Sequence, residues 1–123
     1  MALVFTALTT PKIGSALADR NPDGTVTIWG TVNVGTHAAN GVAITAALVN
    51  AGITDSDSHI ASIEYVEILG RSVDLTCSAR YVRSSGKIQV ALEDGTSGIH
   101  ADASTADLSA AGKTFDCKVI ARV

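Results

Sequence analysis

Hydrophobic and polar residues alternate with a period of two along much of the chain. In residues 25–34, Val26, Ile28, Val32 and Val34 share one side, while threonines, Trp29 and Asn33 occupy the other. Such alternation with many β-branched residues predicts a half-buried strand. By the same pattern we expect strands at residues 3–8, 60–69, 73–81, 87–92 and 113–123, separated by turns at 70–72, 83–86 and 93–95.

The sides of these strands differ in character. In residues 60–69 the pattern groups Ile63 with Tyr65 and Leu69 on one side, opposite Val66 and Ile68. Both sides are partly apolar, so we expect this strand to be covered on each face. In the last strand, Phe115, Cys117, Val119, Ala121 and Val123 form the apolar side.

One short helix is predicted at residues 43–51. Ile44, Ala47, Leu48 and Ala51 have helical spacing, and Gly52 follows as a candidate cap. A helix this short needs to dock on a sheet to be stable. Short strands separated by turns, without a repeated strand–helix–strand order, predict an all-β fold: an antiparallel β-sandwich or jelly-roll-like domain with one short helix.

The chain divides into two unequal parts at a strong turn signal, Asn21-Pro22-Asp23-Gly24. We expect residues 1–20 to form an N-terminal arm and residues 21–123 to form the β-sandwich domain. Trp29 lies on the threonine-rich side of its strand, where an indole would be costly to leave in water. Either a loop of the same chain or a partner protein is expected to cover it.

Composition narrows the class of protein. The 123 residues suit a single domain, and 46% of them are hydrophobic, which excludes a disordered chain. Only 17% are charged and the net charge is -3, which argues against a nucleic-acid partner. So few charges suggest a protein that lives in contact with copies of itself or with a larger body. No apolar run is long enough for a membrane span, and the N-terminus lacks the basic leader of a signal peptide, so we expect synthesis in the cytoplasm.

The sequence offers few candidates for catalytic or metal-binding residues. The stretch from Asp55 to His59 carries two carboxylates and an imidazole, but it lacks the glycine and terminal glutamate of a calcium loop, and we interpret it as a solvated loop. His37, His59 and His100 fall in loop-like stretches without a patterned acidic partner. Cys77 and Cys117 lie on apolar strand sides and are expected to be core thiols, with a disulfide as the alternative. We therefore expect a protein that is not an enzyme and has no catalytic residues, no metal and no cofactor.

The chain from Gly24 onward resembles the capsid decoration, or cement, proteins of tailed bacteriophages. The resemblance is carried by the strand Val26–Val32, the link Asn40–Leu48, the tyrosine-bearing hairpin Arg80–Ile88, and Asp107-Leu108-Ser109 followed by the strand Thr114–Ile120. Relatives often carry a double glycine before the short helix, where this chain has Asn40-Gly41.

This resemblance implies a homotrimer on the outer surface of a phage capsid, bound to the major capsid protein and to itself, with no nucleic acid or membrane partner. Binding would bury area across several capsid subunits, so that weak contacts add together. In this interpretation the arm and the Trp29 face form the interface. Its candidate residues are Leu3, Val4, Phe5, Leu8, Ile13 and Trp29.

Two other functions stay open. The same scaffold suits a structural protein of the phage tail, neck or fibre base. A carbohydrate-binding module on the virion surface is the alternative from another class, although such modules usually present more aromatic residues than the five found here.

Overall fold

The chain is mostly antiparallel β structure with one short helix, in a computed structural model that describes residues 2–9, 21–69, 77–93, 100–102, 106–109 and 113–123. The described strands are β1 (Val4–Ala7), β2 (Val26–Asn33), β3 (Gly35–Thr36), β4 (Val42–Ala43), β5 (Ser62–Leu69), β6 (Cys77–Val82), β7 (Lys87–Glu93), β8 (His100–Asp102), β9 (Asp107–Leu108) and β10 (Phe115–Arg122). The helix α1 spans Ala46–Ala51.

The first sheet has four antiparallel strands in the order β1-β2-β10-β5. The central pair, β2 and β10, runs in register from Phe115 opposite Val32 to Ala121 opposite Val26. Every second residue of both strands is buried, as the alternation predicts. The opposite side of this sheet, which we call the outer face, carries the threonines, Trp29 and the charged residues of β10.

A second sheet forms around β7, which pairs with β6 on one side and with β4 and β8 on the other. β6 and β7 form the predicted hairpin through residues 83–86. Its turn ends at Gly86, which has a φ of 68° and donates its N–H to the Val82 carbonyl. A third, two-stranded sheet pairs β3 with β9.

The core lies between these layers and is filled by the inward side chains of both larger sheets. Its largest fully buried apolar side chains include Phe115 and Ile28 from the first sheet, Ile88 from the second, and Leu108 from β9. These layers make an all-β, sandwich-like domain, so the predicted fold class is confirmed.

A β-bulge in β5 changes which residues share a face. The register with β10 shifts between Ile120 and Ala121, because Tyr65 lies opposite Ile120 and Ile63 opposite Ala121, leaving Glu64 as the extra residue. Ile63 consequently packs against the core, while Tyr65 is exposed. The predicted grouping of Ile63 with Tyr65 is wrong for this reason.

The helix is shorter than predicted at its N-terminal end. Val42–Ala43, where the helix was expected to begin, pairs with β7 as β4. Thr45 is the N-cap, and its hydroxyl accepts the Leu48 N–H at 3.3 Å. Val49 is the buried residue of α1, so the helix docks as its length requires.

The first residues of the chain belong to the sheet. β1 pairs with β2 from Val4 opposite Asn33 to Ala7 opposite Gly30, and Leu3 and Phe5 are buried in the core. This pairing places the predicted strand at residues 3–8 in the first sheet, so that this part of the predicted arm is joined to the domain. The remainder of the predicted arm, residues 10–20, lies outside the described residues, and so does its boundary at residue 20.

Candidate interface on the outer face of the first sheet

The outer face of the first sheet is built by four neighbouring strands. The pairing of Thr31 with Asp116 and of Asp116 with Leu69 forms one row across it. Trp29, Lys118 and Glu67 form the next row, and Thr27, Ile120 and Tyr65 the third. β1 extends the face with Val4 and Thr6.

Trp29 is the central aromatic residue of this face. Its side chain is 44% exposed, and the Lys118 Nζ lies 5.4 Å from the centroid of its ring. The same Nζ is 3.1 Å from the Glu67 Oε2, so Lys118 joins the indole to a carboxylate across three strands. The Trp29 backbone N–H donates to the Thr9 hydroxyl at 3.1 Å. Lys118 covers the indole only partly.

Exposed apolar side chains collect on this side of the molecule. Among the described residues, the large apolar side chains that are exposed are Val4, Leu8, Trp29, Tyr65 and Val123. The first four belong to the outer face or continue it from β1, and the half-buried Ile120 lies between Trp29 and Tyr65 in the strand order. Such a concentration indicates an interaction surface, whereas single scattered apolar residues would not.

Several charges on or beside this face form ion pairs within the chain, and Asp116 adds an exposed carboxylate in the row of Thr31 and Leu69. Besides the Lys118–Glu67 pair, the Arg122 Nε is 2.7 Å from the Glu64 Oε1, and the Arg83 Nη2 is 3.6 Å from the Glu64 Oε2. Exposed ion pairs of this kind add little to stability. Their effect on the surface is to present both signs of charge close together beside the apolar residues.

Tyr65 also marks the junction between the two larger sheets. Its ring meets Tyr81 of β6 edge to face, with the centroids 5.6 Å apart. Tyr81 is partly buried, and this burial raises the pKa of its hydroxyl above the usual value. The outer face therefore ends at an aromatic contact that fixes β5 against β6.

The predicted interface residues separate into three groups. Val4, Leu8 and Trp29 are exposed. Leu3 and Phe5 are 4% and 3% exposed and belong to the chain's own core. The expectation that these two residues form an interface is therefore corrected. Ile13 lies outside the described residues. Sequence reasoning missed Tyr65 because a period of two cannot reveal the bulge at Glu64.

The stretch from Asp55 to His59 is a connection with local hydrogen bonds, in which Asp55, Asp57 and His59 are exposed and Ser58 is buried. The Asp55 Oδ1 accepts the Asp57 N–H at 3.0 Å, and the Asp55 carbonyl accepts the Ser58 N–H at 3.0 Å, closing a short 3₁₀ turn. Throughout the part of the chain that the structure describes, no three His, Cys, Asp or Glu side chains are placed to hold a metal ion.

A shallow cavity of about 120 Å³ lies on the opposite side of the molecule, lined by Ser78, Ala79, Arg80, Gln89 and Ala91. Pockets for small-molecule ligands usually measure roughly 300–1,000 Å³, so this depression is small for a substrate. The Arg80 Nε and Nη2 both donate to the Gln89 Oε1, at 3.0 and 2.8 Å.

Three residues with reactive side chains are buried. Cys77 and Cys117 are free thiols in the core, as expected from their strand sides. Burial first, and the nearby Asp116 carboxylate second, raise the pKa of the Cys117 thiol to about 12. His37, which the sequence placed in a loop, is 1% exposed, and its Nε2 accepts the Val90 N–H at 3.1 Å. This bond satisfies the backbone N–H of Val90, which lies between the residues of β7 that pair with β4 and those that pair with β8.

Within the described ranges no helix is long and apolar enough to cross a membrane. No protein-family model, no curated protein and no solved structure matches the chain.

Proposed function

We propose that this chain is a non-enzymatic structural protein of a bacteriophage virion, which binds the outside of the capsid as a homo-oligomer and stabilises it. The proposal rests on the exposed apolar side chains of the outer face, where Val4, Leu8, Trp29 and Tyr65 lie on one side of a four-stranded sheet. Such a face gains stability when another protein surface covers it.

The chemistry of the described residues agrees with a role based on contact. Both thiols and His37 are buried in the core and contribute to packing or to strand hydrogen bonds. The exposed side chains are mainly small, hydroxylated or paired in charge. A decoration protein works by adding many weak contacts across several subunits, and it needs a stable scaffold with a broad flat face.

Residues 24–123 resemble phage decoration proteins, and this resemblance implies a homotrimer as the type of assembly. Under this proposal the outer face contacts either another copy or the major capsid protein. The chain would be made in the host cytoplasm and would end on the capsid surface.

The experiment is particle fractionation. Virus particles encoded by the same genome as this chain are separated on a density gradient, and an antibody against the purified chain is used to probe the fractions. The chain is expected in the band of DNA-filled heads. Its absence from every particle fraction, while it accumulates in the lysate, would contradict the proposal.

Immunogold labelling of intact particles then separates the head from the tail. Gold distributed over the head supports decoration, whereas gold confined to the tail, neck or fibre base supports the alternative structural role. Removing the chain should lower the temperature at which heads release their DNA if it stabilises the capsid.

A further inference from the structure

We infer that the outward side of the β6–β7 hairpin binds an extended acidic segment of another protein, whose carboxylates pair with Arg80 and Lys87. We call this surface the hairpin face, and its outward residues are Ser78, Arg80, Val82, Lys87, Gln89 and Ala91. It belongs to the second sheet and is separate from the outer face of the first. The inference therefore goes beyond the proposed function and does not depend on it.

The strand register places the two cations side by side. Arg80 lies opposite Gln89, and Lys87 comes two positions before Gln89 along β7, so Lys87 is a diagonal neighbour of Arg80. Ile88 and Val90, which alternate with Lys87 and Gln89, are fully buried and mark the inward side. Diagonal neighbours across an antiparallel pair are about 7–8 Å apart. The hairpin face therefore carries two positive charges at this spacing.

These two cations differ from several other basic side chains of the chain. A carboxylate oxygen lies within 3.6 Å of a charged nitrogen in Lys118, Arg122 and Arg83. Among the described residues, neither Arg80 nor Lys87 has an ion-pair partner. Residues 77–92 contain no Asp or Glu. The hairpin is consequently positive, although the whole chain has a net charge of -3.

Gln89 holds the guanidinium of Arg80 in one orientation. The Arg80 Nε and Nη2 both donate to the Gln89 Oε1, at 3.0 and 2.8 Å. One side of the guanidinium is occupied in this way, and its Nη1–Nη2 end can still donate two parallel hydrogen bonds. A carboxylate accepts such a pair with both oxygens. Because the arginine is already oriented, it loses less side-chain entropy when a carboxylate binds.

The shallow cavity of about 120 Å³ lies beside this guanidinium. Ser78 and Ala91 are opposite each other in the register, and both line the cavity together with Arg80 and Gln89. Their small side chains leave room next to the charged group. The cavity is smaller than a pocket for a whole small molecule, so it suits a single side chain of a partner protein.

An extended peptide segment matches the spacing of the cations. Alternate side chains of a strand point to one side and are about 7 Å apart, close to the separation expected for Arg80 and Lys87. A nucleic acid fits less well, because single strands usually stack their bases on aromatic side chains, and none of the six residues of the hairpin face is aromatic. The net charge of -3 also opposes a polyanion.

The test is a titration of the full chain with a short blocked peptide of alternating threonine and glutamate, followed by NMR of the backbone amides. Saturable shifts are expected in β6 and β7 around Arg80 and Gln89. Added salt should weaken this binding, because the contacts are between exposed charges. A peptide with glutamine in place of glutamate should not bind. An oligothymidylate with the same number of negative charges should bind more weakly than the acidic peptide.

Variants separate a local site from the overall charge. Arg80→Gln should weaken binding of the acidic peptide about tenfold, since a charge-assisted hydrogen-bond pair is lost. Gln89→Leu keeps the charge of Arg80 but removes the oxygen that orients it, so binding should weaken about threefold with an unchanged dependence on salt. The matched control is Lys118→Gln, which removes one positive charge from the outer face and should change binding by less than about twofold. Urea denaturation checks that each variant is folded.

Several results would overturn the inference. One is the absence of saturable shifts on the hairpin face, and another is equal binding of the glutamate and glutamine peptides. Equal weakening by Arg80→Gln and Lys118→Gln would show that only the net charge matters. Tighter binding of the oligothymidylate would identify a phosphate-binding surface. Shifts of the hairpin face when the chain alone is concentrated would show that a second copy occupies it.

Discussion

At the scale of single residues, Gly30 and Gly52 shape the pocket that holds Phe5. A Cβ added at Gly30 would lie 2.5 Å from the Phe5 Cζ and 2.6 Å from the Thr6 carbonyl oxygen. A Cβ at Gly52 would collide with the Phe5 carbonyl oxygen. Because backbone atoms are involved, no rotation of a side chain relieves these clashes. The ring of Phe5 therefore occupies space that only glycine leaves free.

Gly30→Ala is expected to lower the free energy of unfolding by about 1–3 kcal/mol, the usual cost of overpacking, and to loosen β1. Urea denaturation measures the first effect, and hydrogen exchange of the β1 amides measures the second. The double variant Gly30→Ala with Phe5→Leu should lose less free energy of unfolding than the sum of the losses in the two single variants, because both changes affect the same contact.

Gly24→Ala is the control for this prediction. Gly24 has a φ of 85° but has open space around a Cβ, so its replacement should strain only the local turn and leave β1 exchange unchanged. Unchanged exchange of β1 in the Gly30 variant would contradict the proposed close fit.

Two aspartates stabilise turns by the same local geometry. The Asp23 Oδ1 accepts the Thr25 hydroxyl at 2.6 Å and the Thr25 N–H at 3.0 Å. The Asp107 Oδ1 accepts the corresponding groups of Ser109 at the same distances. These bonds favour the charged carboxylates and hold the pKa of each below its usual value. Their contribution to stability is present above the unfolded-state pKa of 3.8 and is lost as the pH falls through the lower folded-state pKa.

The two thiols should react slowly in the folded chain. Cys77 and Cys117 are buried, and the raised pKa of Cys117 keeps it protonated at neutral pH. With a thiol reagent at pH 8, both should react only after denaturant is added. Rapid reaction of either thiol in the native chain would contradict its burial, and a lack of reactive thiols in denaturant without reductant would indicate a disulfide.

Cys117 is also expected to make the stability of the fold fall with rising pH in the alkaline range. The pKa of the thiol is near its ordinary value of 9.0 in the unfolded chain and is raised to about 12 in the folded chain. Its effect on stability is therefore absent at neutral pH, and it favours unfolding as the pH rises from about 9 toward 12.

At the scale of elements, β1 behaves as an edge strand of the first sheet. It is short, but its Phe5 and the preceding Leu3 are buried in the core, and the Ala7 N–H donates to the Gly52 carbonyl at 3.3 Å. β1 therefore joins β2 to the segment after α1. An independent arm would make no such contacts.

Deleting residues 1–9 should destabilise the domain. Removal of the buried Leu3 and Phe5 side chains alone is expected to cost on the order of 5 kcal/mol, which is comparable with the whole stability of many small domains. Circular dichroism during urea denaturation is the measurement. The matched control, Val4→Thr with Leu8→Thr, changes exposed residues of the same segment and should alter stability by less than about 1 kcal/mol. A fully stable deletion variant would show that β1 is dispensable for folding.

At the scale of the whole molecule, His37 connects all three sheets. It follows β3 directly, its backbone N–H donates to the Ala106 carbonyl beside β9 at 2.9 Å, and its ring accepts the Val90 N–H of β7. Since β3 continues from β2 after a single residue, the chain passes from the first sheet to the third and contacts the second within a few residues. A neutral imidazole is required, because a protonated ring has no acceptor nitrogen.

His37→Leu should lower the free energy of unfolding by about 2–4 kcal/mol, because the buried Val90 N–H loses its acceptor and the replacement is a poorer fit. Thermal and urea unfolding test this expectation. His59→Leu is the control: His59 is exposed, and its replacement should change stability by less than about 0.5 kcal/mol. Equal losses in the two variants would contradict the role assigned to His37.

Local alternation is enough to locate the strands whose one side is continuously apolar. β2, β7 and β10 fall where the alternation predicts them, and so does β6 from Cys77 onward, while residues 73–76 of that predicted strand lie outside the described residues. The predicted inward residues of these strands are buried or pack against the core, because side chains alternate between the two faces of a strand. Val123 is the exception, since it is exposed. The hairpin at residues 83–86 was predicted from its turn residues in the same way. Val4, Leu8 and Trp29 of the candidate interface were also named from the sequence.

Four other features of the fold follow from contacts between distant segments of the chain. The bulge in β5, which exposes Tyr65 and turns Ile63 inward, depends on pairing with β10. The first residue of the predicted helix, Ala43, belongs to β4, because β7 offered an edge and this pairing prevailed over local helical spacing. Leu3 and Phe5 joined the core because two distant glycines, Gly30 and Gly52, leave room for Phe5. His37 became a buried acceptor because, among the described residues, Val90 has no strand partner on the side of β7 where β4 and β8 pair. Each of these outcomes depends on contacts between segments far apart in sequence, which no local pattern records.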